Sequence, residues 1–565
     1  MLARGDWVVP TFNEELRAHK PVLLYWTQMT AYSWLGESEF TARLPSALAS
    51  LLSVLAIAFL ASRLAGSKSG INREGWLAAG ALGTCMFFVL AGRAATPDAL
   101  LVAFSTLGIA GLVIACLRPI APYSAGQVGS ARWGAALIGY SALGLATLAK
   151  GPVGIILPLA VVHLWWLCCK GFELEDAAGE SKSLLSWVRR VANPILWFKS
   201  IWALKTIPGV VLCLAIAAPW YILVGIETDG AFLRGFFIDH NVGRAMNAME
   251  GHNGSFLFYP IAFLAGTFPW SLWLIPIGLW ANRAIHSSPP QRQMVILSCS
   301  WISIYIVAFS IASTKLPSYI TPCYGGAALA IGSFLRQYET SWHVPSIRWR
   351  TAGYILTFCV GLTISIALMV VSNLQAMPNV MWATFGGVAL SVVGIAGWVL
   401  DRQDKLQFLP SLWIAAAAAF QISIFGFGAA NASKYRGDVD MLANVQSSNP
   451  SEQWLAAGGF EPSWVHYLDC KFVELEKVAA DAPDQNFWAS IDDVIPALGH
   501  ANLVVVGKEK SDAMQKYLDQ NETSWRAYDV ATEKLFLKDK LISVFRIEAD
   551  IDTSRIAKDK PVILR

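Results

Sequence analysis

Asp98-Ala99-Leu100-Leu101-Val102-Ala103-Phe104-Ser105-Thr106-Leu107-Gly108-Ile109-Ala110-Gly111-Leu112-Val113-Ile114-Ala115-Cys116-Leu117 carries one charge, at its first position. A helix rises about 1.5 Å per residue, so a stretch of this length covers roughly 30 Å, the hydrocarbon thickness of a bilayer. Apart from Asp98, its polar side chains are Ser105 and Thr106, so it has no charged face to offer water. Pro97 stands just before it, and proline suits a first helical turn. The stretch reads as a transmembrane helix whose one charge sits at its end.

Eleven more stretches read the same way: 44–64, 77–93, 134–149, 152–169, 208–226, 256–280, 294–312, 317–334, 352–372, 382–400 and 411–430. The expected fold class is therefore an all-α polytopic membrane protein with about 12 spans. The composition agrees. Of 565 residues, 55% are hydrophobic and 15% charged, against about 25% charged in soluble domains. A disordered chain and a purely soluble enzyme are excluded. Residues 431–565 differ, with 16 basic and 22 acidic side chains. This tail reads as a small α/β domain, helical around Trp454 and 511–518 and extended over 502–507 and 541–547. Three regions result: 1–43, 44–430 and 431–565. The basic residues are scattered, so the overall +3 gives no footprint for nucleic acid. The neighbours Cys168 and Cys169 lie in an apolar run and read as buried filler.

Basic residues in short loops orient the chain. One alternating set of loops holds 18 Lys and Arg, among them Lys68, Arg73, Lys199, Lys205, Arg348 and Arg350; the opposite internal loops hold 5. The rich set is assigned to the cytoplasm. Residues 1–43, the loop 227–255 and the tail are then outside. Val22–Leu35 is apolar but too short to cross and reads as an interfacial helix. An outside start without an export signal leads us to expect one further span ahead of Met1, thirteen in all.

The few outer-face charges keep unusual company. Asp98 lies in Arg93-Ala94-Ala95-Thr96-Pro97-Asp98, Lys20 in His19-Lys20-Pro21, and His240 and Arg244 in the loop 227–255. Lys315-Leu316-Pro317-Ser318-Tyr319 and Lys150-Gly151-Pro152 are turns between spans. A charge near hydrocarbon costs about 2.5–3.5 kcal/mol at the centre on insertion scales. Taken alone, Lys150 and Arg93 read as helix-end charges that snorkel to the headgroups. Asp98 fits that reading poorly, because Pro97 already marks the helix start. Cations and hydroxyls gathered on one face suit a phosphate-bearing ligand. His19, His240 and His252 raise the question of a divalent metal, but their spacing lacks the tightness of zinc sites, and no metal or other cofactor is assigned.

Further motifs stand in order along the chain. They are Gly5-Asp6-Trp7-Val8-Val9-Pro10-Thr11-Phe12-Asn13, Lys20-Pro21-Val22-Leu23-Leu24-Tyr25-Trp26, Ala42-Arg43-Leu44-Pro45, Thr96-Pro97-Asp98-Ala99-Leu100 and Lys150-Gly151-Pro152-Val153, followed by Ala218-Pro219-Trp220-Tyr221, Phe236-Phe237-Ile238-Asp239-His240 and Ser313-Thr314-Lys315-Leu316-Pro317-Ser318-Tyr319. Together they resemble the 4-amino-4-deoxy-L-arabinose (lipid A) transferases, within the protein-mannosyltransferase-like superfamily. The resemblance covers roughly residues 1–335. It implies a glycosyltransferase of the GT-C type in the bacterial inner membrane, with its tail outside. The implied donor is a sugar on a polyprenyl phosphate; the implied acceptor is a lipid A-like or other envelope molecule. Lys20, Arg244 and Tyr319 match positions that hold the lipid phosphate, with His240 and Lys315 beside them as substrate-binding candidates. Asp98 matches one of two acidic residues important for activity. The other lies ahead of the GDW motif in relatives, before this sequence begins. His19 stands where relatives usually carry Glu.

Two other readings compete. A transporter or flippase for a lipid-linked precursor would use the same apolar body, but transporters place charges near the midplane. An inactive relative would keep the motifs without turnover.

Overall fold

The computed structural model describes residues 1–117, 128–178, 191–243, 254–340, 344–374, 378–432, 437–449, 452–457, 461–468, 470–475, 488, 501–521, 525–534 and 541–549. The chain divides into two compact units. The first holds Met1–Thr11 and Leu16–Ala429; the second holds Phe12–Glu15 and Ala430–Arg565.

The first unit is helical. In chain order come α1 (Leu23–Leu35), α2 (Glu39–Leu64), α3 (Arg73–Gly83), α4 (Met86–Arg93), α5 (Asp98–Cys116), α6 (Trp133–Lys150), α7 (Val153–Ala178), α8 (Pro194–Ala203) and α9 (Thr206–Glu227). A π-helix over Arg234–Val242 follows. Then come α10 (Phe258–Gly266), α11 (Leu274–Ala284), α12 (Pro289–Ile311), α13 (Tyr324–Thr340), α14 (Ile347–Leu374), α15 (Thr384–Arg402) and α16 (Leu409–Gln421). Eight helices among the described residues are long and apolar enough to cross a membrane, and ten segments if each of two bent pairs counts as one span. The remaining two expected spans, 134–149 and 317–334, are helical too; they fall largely in the 18-residue α6 and the 17-residue α13. The chain is a multi-pass membrane protein. Its outer surface fits a lipid solvent: α9 leaves Val211, Leu214, Ile222 and Ile226 more than half exposed, where water would penalise them.

Small residues let the central helices approach. A Cβ on Gly111 of α5 would lie 2.8 Å from Gly139 Cα of α6, so neither position admits a side chain without separating the pair. α1 precedes the first crossing as a 13-residue helix, too short to span, as expected. A capping box starts α2: the Thr41 N–H donates to Ser38 Oγ at 3.2 Å, and the Ser38 N–H to Thr41 Oγ1 at 2.9 Å.

Two expected single spans are broken. Residues 77–93 form α3 and α4, bent by 69°, and 256–280 fall in α10, a 3-10 turn over Trp270–Trp273 and α11, bent by 105°. The breaks use each other's freed polar groups. The Met86 N–H donates to Phe268 O at 3.2 Å. Trp270 Nε1 donates to Thr84 Oγ1 at 2.9 Å, and Gln421 Nε2 to Thr84 O at 2.7 Å. Helix breaks inside a membrane persist only where protein satisfies the backbone they expose.

The second unit is α/β. It contains α17 (Gly437–Ser448), β3 (Gln453–Ala457), α18 (Pro462–Leu468), β4 (Phe472–Glu474), β5 (Ala501–Gly507), α19 (Lys508–Gln520), β6 (Trp525–Lys534) and β7 (Leu541–Ala549). β1 (Thr11–Phe12) and β2 (Glu15–Leu16) form a separate hairpin near the N-terminus. The sheet runs β4-β3-β5-β7-β6, parallel across β4, β3 and β5 and antiparallel beyond. The strands over 502–507 and 541–547 and the helix over 511–518 are found as expected. Trp454 is a correction: it lies in β3, a strand. Its run Trp454-Leu455-Ala456-Ala457 is buried throughout, and a strand covered on both faces shows no alternation to mark it. At the hairpin tip, which belongs to this unit, Asn13 Nδ2 donates to Phe472 O at 2.7 Å, and the Phe472 N–H to Asn13 Oδ1 at 3.0 Å. Those bonds cap the outer edge of β4, an edge that would otherwise be open to pairing.

Candidate functional site

Asp98 is the first residue of α5, with Pro97 as its N-cap. Ser46 Oγ of α2 donates to Thr96 O at 3.3 Å, tying the turn to the preceding helix. Lys150 is the last residue of α6. Because α5 and α6 are consecutive and antiparallel, the start of one and the end of the other meet. The Lys150 ammonium forms an ion pair with Asp98 Oδ1, the side chains being only 11% and 14% exposed. Its other neighbour is Tyr319, whose ring centroid lies 5.0 Å from Nζ. Tyr319 sits in the 3-10 turn Pro317–Cys323 and packs on Phe309 at 5.2 Å between centroids. A carboxylate, an ammonium and a phenol thus gather at one end of three membrane helices.

Gly151 makes the corner possible. It adopts φ +80°, and a Cβ there would come within 2.6 Å of the Phe236 ring. Phe236 belongs to the π-helix Arg234–Val242, a rare form often found at functional sites. Asn241 Nδ2 donates to Phe236 O at 2.6 Å. Tyr221, on α9, packs against Phe236 and Phe237, and its Oη donates to Thr147 O of α6 at 3.2 Å. The same π-helix carries His240, whose ring lies 4.2 Å from that of His19. The His19-Lys20-Pro21 turn is therefore seated on the π-helix, with Lys20 half-buried beside it.

Lys315 has a different setting. It is 5% exposed, and its ammonium donates to Phe309 O, Ser310 O and Ala312 O at 3.1, 2.7 and 2.6 Å. These carbonyls end α12, where a cation offsets the helix dipole. Its hydrogens are engaged by the fold. Arg244 and His252 lie outside the described residues. Among the described residues no three His, Cys, Asp or Glu side chains gather in a way that could hold a metal ion. The residue the sequence reading left out of the site is Lys150. Its signal was present in Lys150-Gly151-Pro152, but a lysine ending a span is ordinarily a snorkelling charge.

The sequence profile of the dolichyl-phosphate-mannose-protein mannosyltransferase family matches residues 19–171, which include Lys20, Asp98 and Lys150. Over 96% of its length the chain superposes on 91% of the ArnT of Cupriavidus metallidurans, solved with undecaprenyl phosphate, at a TM-score of 0.67 and 19% identity. The chain has the ArnT fold. The expected all-α polytopic body with a small α/β tail is thereby borne out. Relatives repeat the likeness. An undecaprenyl phosphate-alpha-4-amino-4-deoxy-L-arabinose arabinosyl transferase of Pectobacterium carotovorum is 27% identical over 410 residues, 72% of this chain and 65% of its own. An uncharacterized protein of Aquifex aeolicus is 28% identical over 338 residues, 59% of this chain and 64% of its own. The matches thus span just under two thirds of those relatives' lengths.

Proposed function

We propose that this ArnT-fold chain is a membrane glycosyltransferase. In this reading it moves a sugar, 4-amino-4-deoxy-L-arabinose or a hexose, from a polyprenyl phosphate to a lipid A-like or other envelope acceptor. The reaction takes place on the outer face of the bacterial inner membrane, and the tail domain lies on that side. The observation that carries the proposal is the Asp98–Lys150–Tyr319 cluster at one end of the spans.

In the transfer, an acceptor oxygen attacks the sugar's anomeric carbon and the bond from that carbon to the phosphate oxygen breaks. The electron pair leaves with the polyprenyl phosphate. Cations placed in advance where that charge develops lower the barrier; Lys20 and Arg244 are assigned this task, with the Tyr319 hydroxyl as a further donor. Asp98 orients the acceptor and takes its proton if the acceptor is a hydroxyl. A phosphate acceptor is already ionised and needs only orientation. His240 is assigned to the substrate's polar groups.

The broken helices bear on the transporter alternative, since discontinuous helices in transporters present unpaired backbone to a midplane substrate. Here the breaks at Thr84–Cys85 and Thr267–Pro269 bond to each other through Met86, Phe268, Trp270 and Thr84. That arrangement supports a structural role for the breaks and favours the enzyme.

Topology offers the first test. Reporter fusions after residues 66, 125, 240 and 431 are expected to read inside, inside, outside and outside. A tail reporting from the cytoplasm would place Asp98 on the wrong face for an outer-leaflet transfer.

A further inference from the structure

We infer that Lys150 is a positioning residue shared between two anions. With the donor absent its ammonium holds the Asp98 carboxylate; when the donor binds, the ammonium turns to the lipid phosphate and frees Asp98 for the acceptor. This deepens the transferase reading and rests on it.

Two lysines at helix ends make the case by contrast. Lys315 gives its ammonium to three carbonyls within 3.1 Å. Lys150, though its side chain is only 11% exposed, has one hydrogen-bond acceptor among the described residues, Asp98 Oδ1. An ammonium has three hydrogens to donate. One goes to Asp98, and the ring of Tyr319 covers another side at 5.0 Å without accepting a conventional bond. A largely buried cation with donors to spare is set up for a second acceptor, and desolvation makes that acceptor favour an anion. The backbone keeps the ammonium in place: Lys150 ends α6, and Gly151 turns at φ +80° against Phe236. The four-carbon stem supplies the reach, with rotatable donors suited to changing partners.

The exchange also resolves an electrostatic conflict. A bare Asp98 carboxylate would repel an arriving phosphate. Paired with Lys150, it presents a neutral site until the phosphate itself competes for the cation.

The test uses the full chain in proteoliposomes, with undecaprenyl phosphate as the binding probe and sugar transfer as the second readout. Lys150→Met is expected to raise the donor KM and weaken undecaprenyl phosphate binding by about 10-fold or more, with kcat also lowered. Lys150→Arg should restore binding in part. Asp98→Asn removes the competitor and is expected to tighten undecaprenyl phosphate binding about threefold or more, while transfer falls. The double variant Asp98→Asn/Lys150→Met should lose little kcat beyond Asp98→Asn alone, yet bind undecaprenyl phosphate about 10-fold or more less tightly than Asp98→Asn, because the cation that held the phosphate is gone. A Lys150→Met protein with wild-type KM, kcat and binding overturns the inference. If that variant fails to fold, Asp98→Asn still decides, because unchanged or weaker binding there excludes competition for the cation. A wild-type chain that neither transfers sugar nor binds the probe overturns the transferase reading instead.

Discussion

Asp98→Asn is expected to cut sugar-transfer turnover by about two decades or more, the range of general acid–base groups, while the protein inserts and still binds its donor. Asp98 opens α5 and pairs there with the Lys150 ammonium at the end of α6. The asparagine keeps the size and most of the hydrogen bonding but loses the charge and the capacity to take a proton. A purely structural Asp98 would contribute about 0.3–1 kcal/mol to the helix start, and its replacement would then lower stability slightly and leave turnover intact. Turnover measured with saturating donor, alongside thermal stability in detergent, separates the two. A folded Asn variant with undiminished turnover would remove Asp98 from the chemistry.

Lys20→Ala is expected to weaken use of the polyprenyl phosphate donor by about 10- to 150-fold, the equivalent of one charge-assisted hydrogen bond. Lys20 is held half-buried where His19 packs on His240 and where Val22, fully buried, starts the descent into α1. Arg244→Ala is expected to lose donor use on the same scale, and Arg244→Lys to restore part of it if the contact is bidentate. The measurement is kcat/KM for donor at fixed acceptor. Lys68→Ala, in the loop after α2, serves as a charge control and should match wild type. Wild-type donor kinetics in both Lys20→Ala and Arg244→Ala would take these residues out of the phosphate site.

The spans were legible because the bilayer demands length and uniform apolarity, which residues such as 98–117 display without needing a partner. The breaks were harder to read. Pro269 marks the second in the sequence, whereas the first, at Thr84–Cys85, depends on hydrogen bonds from Trp270 and Gln421, some 186 and 337 residues away. Trp454 was misread for a related reason: a strand buried on both faces has the pattern of any buried apolar run. In the site, Asp98 could be read because Pro97 left its charge without a capping purpose. Lys150 and Lys315 look alike in sequence, each a lysine at a helix end before a proline turn. Only the fold separates them, placing one on a carboxylate and the other on three carbonyls. Such a distinction rests on which helix ends become neighbours, and local patterning does not encode that.

The proposed reaction is sugar transfer from a lipid phosphate at the outer end of the helices. Its most direct test is mass spectrometry of lipids from proteoliposomes that hold the purified chain, undecaprenyl phosphate-linked 4-amino-4-deoxy-L-arabinose and a lipid A acceptor, with a hexose-loaded donor in parallel. The acceptor is expected to gain the mass of one sugar while undecaprenyl phosphate appears in equal amount, and both products are expected to fall about 100-fold or more with Asp98→Asn. An intact donor that moves between leaflets, with no sugar on any acceptor, would contradict it and establish the transporter reading.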